Sequence, residues 1–351
     1  MKKVLLVLVI IGILYLLFWP VPIEPLYYNS PTVPLLEGKF QANKELSEVK
    51  HFEVGIGPEL IAIDSSGILY TGLQNGKILK FNTENQTFED FINTGGRSLG
   101  IRWNSGLNSI LVAAEIKGIL SVTTHGKISV IIDNEDGAPF YFLNNIDATK
   151  NGVVYFTIAS TRYKHDEIEK ELWESNPTGK LMSYNISSKK LFTLVDKLRF
   201  ANGVALSPNE SFLFFIKTHA ATLKKYWLKG PIKGKIETVI NSLPGYPDNI
   251  TYNGNGIYWI AMVTYRNKIF KELLPRPWIR KFIWRLLSSV RNSDPSKPYG
   301  FVIGIDNKGK TLYNFQDSTG RTNWLTSAIE YKGDLWMGSN LNKVVVKYKI
   351  N

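Results

Sequence analysis

The 351-residue chain has no cysteine. That excludes a disulfide framework, a thiol nucleophile and a cysteine-ligated metal. It leaves the compartment open, because a chain of this size buries a core that needs no staple. Histidine is scarce: the 4 copies are His51, His125, His165 and His219. None of them falls at the repeat openings described below. Acidic residues are in the minority, with 30 Asp+Glu against 42 Lys+Arg and a formal net charge of +12. Such an excess attracts anionic surfaces, unless it merely solvates the protein. No RRM, zinc-finger or helix-turn-helix pattern accompanies it, so lipid is the better-matched partner and nucleic acid is not expected.

Long apolar runs are also missing, apart from Val4 to Trp19 behind Lys2-Lys3. Such a run covers roughly 24 Å as a helix, a little short of a 30 Å hydrocarbon core. It ends on Leu17-Phe18-Trp19-Pro20, bulky where a signal peptidase needs small residues. Residues 1–23 therefore read as an uncleaved transmembrane signal anchor rather than a cleaved leader. The paired lysines should stay cytoplasmic and the rest should lie on the non-cytoplasmic side, periplasmic, extracellular or lumenal. Residues 24–46 are proline-rich and aperiodic and read as an extended tether.

What is present is a recurring phrase. Gly57-Pro58-Glu59-Leu60-Ile61-Ala62-Ile63-Asp64 leads through a turn to Tyr70-Thr71-Gly72 and then to Gly76-Lys77-Ile78. Alternating apolar residues punctuated by Gly, Asn and Ser read as strands and tight turns. Similar openings stand at Ser98-Leu99-Gly100-Ile101, Leu143-Asn144-Asn145-Ile146, Ala201-Asn202-Gly203-Val204, Pro247-Asp248-Asn249-Ile250 and Leu325-Thr326-Ser327-Ala328. Repeated four-strand units of about 40 to 80 residues, none able to bury both faces alone, predict an all-β, six-bladed β-propeller over residues 47–351. Glu48 to Val54 is expected to supply the outer strand of the last blade and so close the ring.

The first strand of a blade lines the channel. Glu59, Leu99, Asn144, Asn202, Asp248 and Thr326 should therefore point into one shared space, with Asn249 beside them. Two insertions interrupt the repeats. Residues 165–177 read as a charged helix or loop on one rim. Residues 267–298 contain Pro277 to Leu287, in which Trp278, Ile279, Phe282, Ile283 and Leu286 share a helical face and Arg280, Lys281 and Arg285 lie elsewhere. The 277–287 helix is expected to be a lid on the propeller, an interfacial helix in lipid headgroups, or both.

Phrases such as Tyr70-Thr71-Gly72-Leu73-Gln74-Asn75-Gly76-Lys77-Ile78, Phe200-Ala201-Asn202-Gly203-Val204-Ala205-Leu206-Ser207, Tyr226-Trp227-Leu228-Lys229-Gly230 and Leu243-Pro244-Gly245-Tyr246-Pro247-Asp248-Asn249-Ile250 resemble the strictosidine synthase-like family. The resemblance includes especially its membrane-anchored adipocyte plasma membrane-associated branch and extends from about Pro31 to the C-terminus. Paraoxonases and gluconolactonases are more distantly similar. The resemblance implies a six-bladed propeller with a channel metal, usually calcium, at Glu59, Asn144, Asn202, Asp248 and Asn249. The residue types agree, since calcium takes hard oxygen ligands from carboxylates and amides. Two facing carboxylates repel unless a proton or a cation intervenes. Leu99 and Thr326 put nothing basic at the same phase, so an internal ion pair is a poor alternative.

This chain departs from the pattern of the family at three acidic positions, with Ala114, Ile158 and Lys217. Leu99 stands where paraoxonases carry one of a histidine pair. Glu330 lies near the strictosidine synthase glutamate, but in a loosely matching context, which argues against strictosidine synthesis. The expectation is a calcium-dependent hydrolase of esters or lactones, with Glu59, Asn144 and Asp248 as candidate catalytic residues acting on a small-molecule substrate. The alternative is a non-catalytic propeller that binds a ligand or partner. Lipid contacts would come from the anchor and the 277–287 helix.

Overall fold

The computed structural model describes residues 2–82, 84–286 and 298–350. Six four-stranded antiparallel sheets form the blades of a propeller. Their innermost strands are Ile61–Ile63, Ser98–Asn104, Leu143–Ala148, Ala201–Leu206, Gly245–Tyr252 and Leu325–Tyr331. Each touches the innermost strand of the next blade, and the last touches the first, so the ring is complete. Closure uses the strand Lys50–Glu53, which runs antiparallel to Val344–Lys349 with Phe52 opposite Val345. The first-arriving strand thus completes the last blade, tying the ends of the ring together and covering an edge.

The blades are held by what lies between them. Strands such as Ser109–Ala114 and Phe212–Lys217 are apolar with almost no alternation, because both their faces are covered by neighbouring blades. Outer strands such as Lys190–Leu198 alternate and meet water on one face. Buried apolar clusters fill the inter-blade spaces. One runs from Phe212 and Phe214 to Tyr258 and Phe301, and another from Leu111 to Phe156 and Met182.

The insertions form short helices over one end of the ring. A 3-10 turn, His165–Glu167, runs into the helix Ile168–Glu174, and the second insertion gives helices Lys268–Leu273 and Pro277–Trp284. Leu287 and residues 288–297 of that insertion lie outside the described residues. The expected faces of the last helix are reversed in part. Arg280 is fully buried and Trp278 is 69% exposed. The Arg280 guanidinium donates to the carbonyls of Trp173 at 2.8 Å, Glu174 at 2.7 Å and Leu274 at 2.9 Å, and also to that of Leu26. One cation thereby satisfies the carbonyl ends of two helices and the passing tether, which compensates its burial.

The tether is fixed as well as extended. Ile23 is completely buried, and the backbone of Glu24 donates to Glu174 Oε1 at 2.6 Å. Asn176 pairs with Leu26 N at 3.0 Å and Glu24 O at 2.9 Å. Upstream, helix Lys2–Phe18 spans 17 residues and has none buried. No helix among the described residues is long and apolar enough to cross a membrane.

Candidate functional site

The site follows from a local irregularity repeated around the axis. Pairing of the first and second strands skips between Ser98 and Gly100, Leu143 and Ile146, Ala201 and Val204, Pro247 and Ile250, and Leu325 and Ser327. The skipped residues include Leu99, Asn144, Asn202, Asp248 and Thr326. A bulge leaves such residues out of the ladder and re-aims their side chains. Glycine makes room for this at close quarters. A Cβ on Gly203 would sit 2.7 Å from Ile250 N and 2.8 Å from Asp248 O of the neighbouring blade.

Glu59, Asn144, Asn202 and Asp248 line one cavity of about 760 Å³, and all four are nearly buried. Burial pushes the Glu59 carboxyl up, with the Arg97 charge opposing. Asp248 is pushed well above the ordinary carboxylate range by burial first and by repulsion from Glu59 second. The other two phase residues do other work. Leu99 packs with Phe142, Ala159 and Phe200, and Thr326 donates its hydroxyl to Glu59 O at 2.8 Å.

Two sequence expectations are corrected here. Asn249 is not among the cavity-lining residues. Its amide donates to Thr326 O at 2.9 Å and Asp248 Oδ1 at 3.1 Å, and its oxygen accepts from Asn145, so it staples blades together. Second, an internal ion pair exists. Arg97 Nη2 lies 3.2 Å from Glu59 Oε2, with both side chains buried. Arg97 falls outside the repeat phase because it stands two residues ahead of Leu99 and reaches across to the neighbouring blade.

Histidines also enter the cavity. His165 and His219 line it, joined by Phe142 and Phe200 in a row of rings. The centroid separations along the row are 5.2 Å, 5.5 Å and 4.9 Å. Burial pushes both imidazoles down to about 3, with nearby arginines adding to it. His165 hides in an insertion that no repeat count reaches. His219 left a readable signal. Ala201 pairs with Lys217, so two residues beyond the second strand must lie at the same end as Asn202. Phe200 and Trp324, each one residue before a first strand, take left-handed backbone at φ 54 and also line the cavity. Strain of this kind in bulky residues gathers at functional clefts.

Ala114 and Ile158 belong to buried apolar clusters, and neither they nor Lys217 lines the cavity. The missing acids therefore do not thin the polar floor. Among the described residues no three His, Asp or Glu side chains gather as a metal cluster. The donor set is two carboxylates with two carboxamides. Asn144 Oδ1 and Asn202 Oδ1 are buried with no hydrogen-bond partner. Orphaned oxygens beside two carboxyls fit a hard cation such as calcium.

The sequence matches the strictosidine synthase family model over residues 144–231 and the strictosidine synthase-like N-terminal model over residues 38–81. It is 31% identical over 344 residues to the Arabidopsis thaliana protein strictosidine synthase-like 6, covering 93% of this chain and 89% of that one. The chain belongs to the strictosidine synthase-like family. It is 30% identical over 355 residues to adipocyte plasma membrane-associated protein of Bos taurus, covering 94% of this chain and 85% of the relative. In fold, this strictosidine synthase-like chain is similar to a gluconolactonase from Xanthomonas campestris, with TM-score 0.62 and 12% identity over 86% of this chain and 90% of that one. It is also similar to the calcium-binding protein regucalcin from Agrobacterium tumefaciens, with TM-score 0.58 and 13% identity over 86% and 91% of the two chains.

Proposed function

We propose that this strictosidine synthase-like propeller is a hydrolase of esters or lactones that depends on a calcium-like cation held by Glu59, Asn144, Asn202 and Asp248. One observation carries the reading: two buried carboxamide oxygens without partners share a cavity with two buried carboxyls. Structural neighbours described as a gluconolactonase and a calcium-binding protein support it at the level of the fold. A bound cation would polarise a carbonyl and stabilise the oxyanion that forms on attack by water. The chain's own residues bind and orient. Glu59 and Asp248 supply the negative charge, Asn144 and Asn202 supply neutral oxygens, and the ring wall excludes water from the acyl or alcohol portion. Asp248 or Glu59 would accept a proton in this reading, a role that a raised pKa suits.

A second reading, a ligand-binding propeller without catalysis, is favoured by the Arg97–Glu59 ion pair, which already neutralises one floor carboxylate. The same proposal includes attachment to membrane by the apolar segment Lys2–Phe18, with the propeller outside the cytoplasm.

The test is Asp248→Ala. It should lower calcium content, abolish calcium-dependent hydrolysis of an aryl acetate, and lower the melting temperature in calcium much more than in chelator. Stabilisation by a ligand reaches about 2.7 kcal/mol at a hundredfold excess over Kd, well within calorimetric reach. Identical melting of the wild type in calcium and in chelator would remove the cation and, with it, the hydrolase.

A further inference from the structure

We infer that Arg97 is a built-in counter-cation of the cavity floor, which holds Glu59 in the absence of a metal ion and competes with a divalent cation for it. The inference rests on the cation reading of Glu59, Asn144, Asn202 and Asp248, and assigns to a residue outside that donor set the control of its affinity.

The contact has the geometry of a displaceable partner. Arg97 Nη2 reaches Glu59 Oε2 at 3.2 Å, and the same nitrogen lies 3.4 Å from Asn340 O. The Nε–H has no partner, although it is buried. A guanidinium locked to a carboxylate uses its planar fork and makes two parallel bonds. Here a single nitrogen is shared between two acceptors. The backbone leaves this side chain little choice of place. A Cβ on the preceding Gly96 would lie 2.3 Å from Glu115 O, so the loop is packed directly on the turn that follows the strand Ser109–Ala114.

Charge counting gives the direction. Arg97 and Glu59 cancel, and Asp248 is the one other acid of the donor set. With a divalent ion added, the two carboxylates of the donor set face three positive charges; Glu115, the half-buried carboxyl that also acts on Arg97 and Glu59, stands outside that set and offsets the excess only from a distance. Without the arginine the same ion is balanced. The pair is buried, the side chains being 6% and 5% exposed, so salt does not screen the excess. The carboxamide oxygens of Asn144 and Asn202 have no partner, so the arginine leaves part of the donor set unused.

The experiment is isothermal titration of the full-length protein with calcium chloride, paired with melting in calcium and in chelator. Wild type is compared with Arg97→Gln, which removes the charge and keeps a donor, and with Arg97→Lys, which keeps the charge. Arg97→Gln should bind calcium at least about tenfold more tightly than wild type. It should also show a larger gap in melting temperature between calcium and chelator, and Arg97→Lys should stay near wild type. If wild type binds calcium and Arg97→Gln binds no more tightly, or Arg97→Lys tightens as much, the inference is overturned while the cation reading stands. If neither wild type nor variant binds calcium, both fall together. Binding in Arg97→Gln alone would make the arginine the resident cation and sustain the inference. Should Arg97→Gln not fold, Arg97→Met keeps the apolar stem and takes its place. Failure of both to fold even in calcium would make Arg97 purely structural and overturn the proposal.

Discussion

The Nδ1 of His219 lies 3.0 Å from Ser175 Oγ, and its Nε2, buried at the cavity wall, has no partner. Ser175 is held in left-handed backbone at φ 49 at the end of helix Ile168–Glu174, and its carbonyl accepts from Arg199. The serine thus comes from one insertion, while the imidazole comes from the end of the second strand of another blade. Together they fix a ring stacked on Phe200, with one nitrogen left for a ligand.

Burial pushes His219 down to about 3, with Arg199 and Arg280 contributing. A folded pKa below the ordinary value near 6.5 means that its stability contribution is present above about 6.5 and is lost as pH falls toward 3. The replacement His219→Phe keeps the stacked ring and removes the titration. Its melting temperature should fall less than that of the wild type between pH 7 and pH 4. Aryl ester hydrolysis should drop about tenfold or more, as expected when a polar ligand contact is lost. Equal activity in the variant would leave Nε2 without a role.

The ring and its inward phase were legible from the spacing of the openings, because radial stacking repeats the same burial demand in every blade. The bulges that aim Asn144, Asn202 and Asp248 were not, since nothing in Asn-Asn-Ile or Asn-Gly-Val distinguishes a skipped residue from a paired one. Asn249 was misassigned for the same reason: one bulge holds two polar residues, and only backbone register decides which faces the cavity. Arg97 and His165 were hidden more deeply. They belong to loops and strand ends where no period applies, and their contacts cross from one blade or insertion to another.

Glu171 gives the second pH-dependent prediction. It is completely buried in the helix that borders the cavity, and its two oxygens have no partner of good geometry. Burial pushes it up to about 7, Glu174 adds repulsion, and Ser160 and Arg162 oppose. A raised folded pKa means that the stabilising contribution is full below the ordinary value near 4.5 and is lost as pH rises through about 7. The loss is on the order of 3 kcal/mol. Glu171→Gln should therefore melt close to wild type at pH 5 and several degrees higher at pH 8. A variant that tracks the wild type at both pH values would show that the carboxyl is already ionised and accommodated.

The last prediction concerns the second insertion, which borders the cavity, and the membrane attachment proposed above. Arg285 Nε donates to Trp19 O at 2.7 Å, joining the end of the apolar N-terminal segment to the second insertion. The helices of that insertion and the tether carry exposed apolar side chains: Trp278 is 69% exposed, Ile269 65% and Leu26 53%. Trp284, by contrast, is buried and meets Trp173 edge-on, so it belongs to the packing. Apolar tips among lysines and arginines suit the headgroup layer of an anionic bilayer. A chain lacking residues 1–18 should still bind anionic vesicles, and Trp278→Ser with Ile269→Ser should reduce that binding at least about tenfold, roughly 1.4 kcal/mol. Trp284→Ser should instead lower the melting temperature. In the intact cell, added protease should reach the propeller without lysis. Binding that survives the double substitution would mean that the exposed tips are not the lipid contact, and digestion only after lysis would place the propeller on the cytoplasmic side.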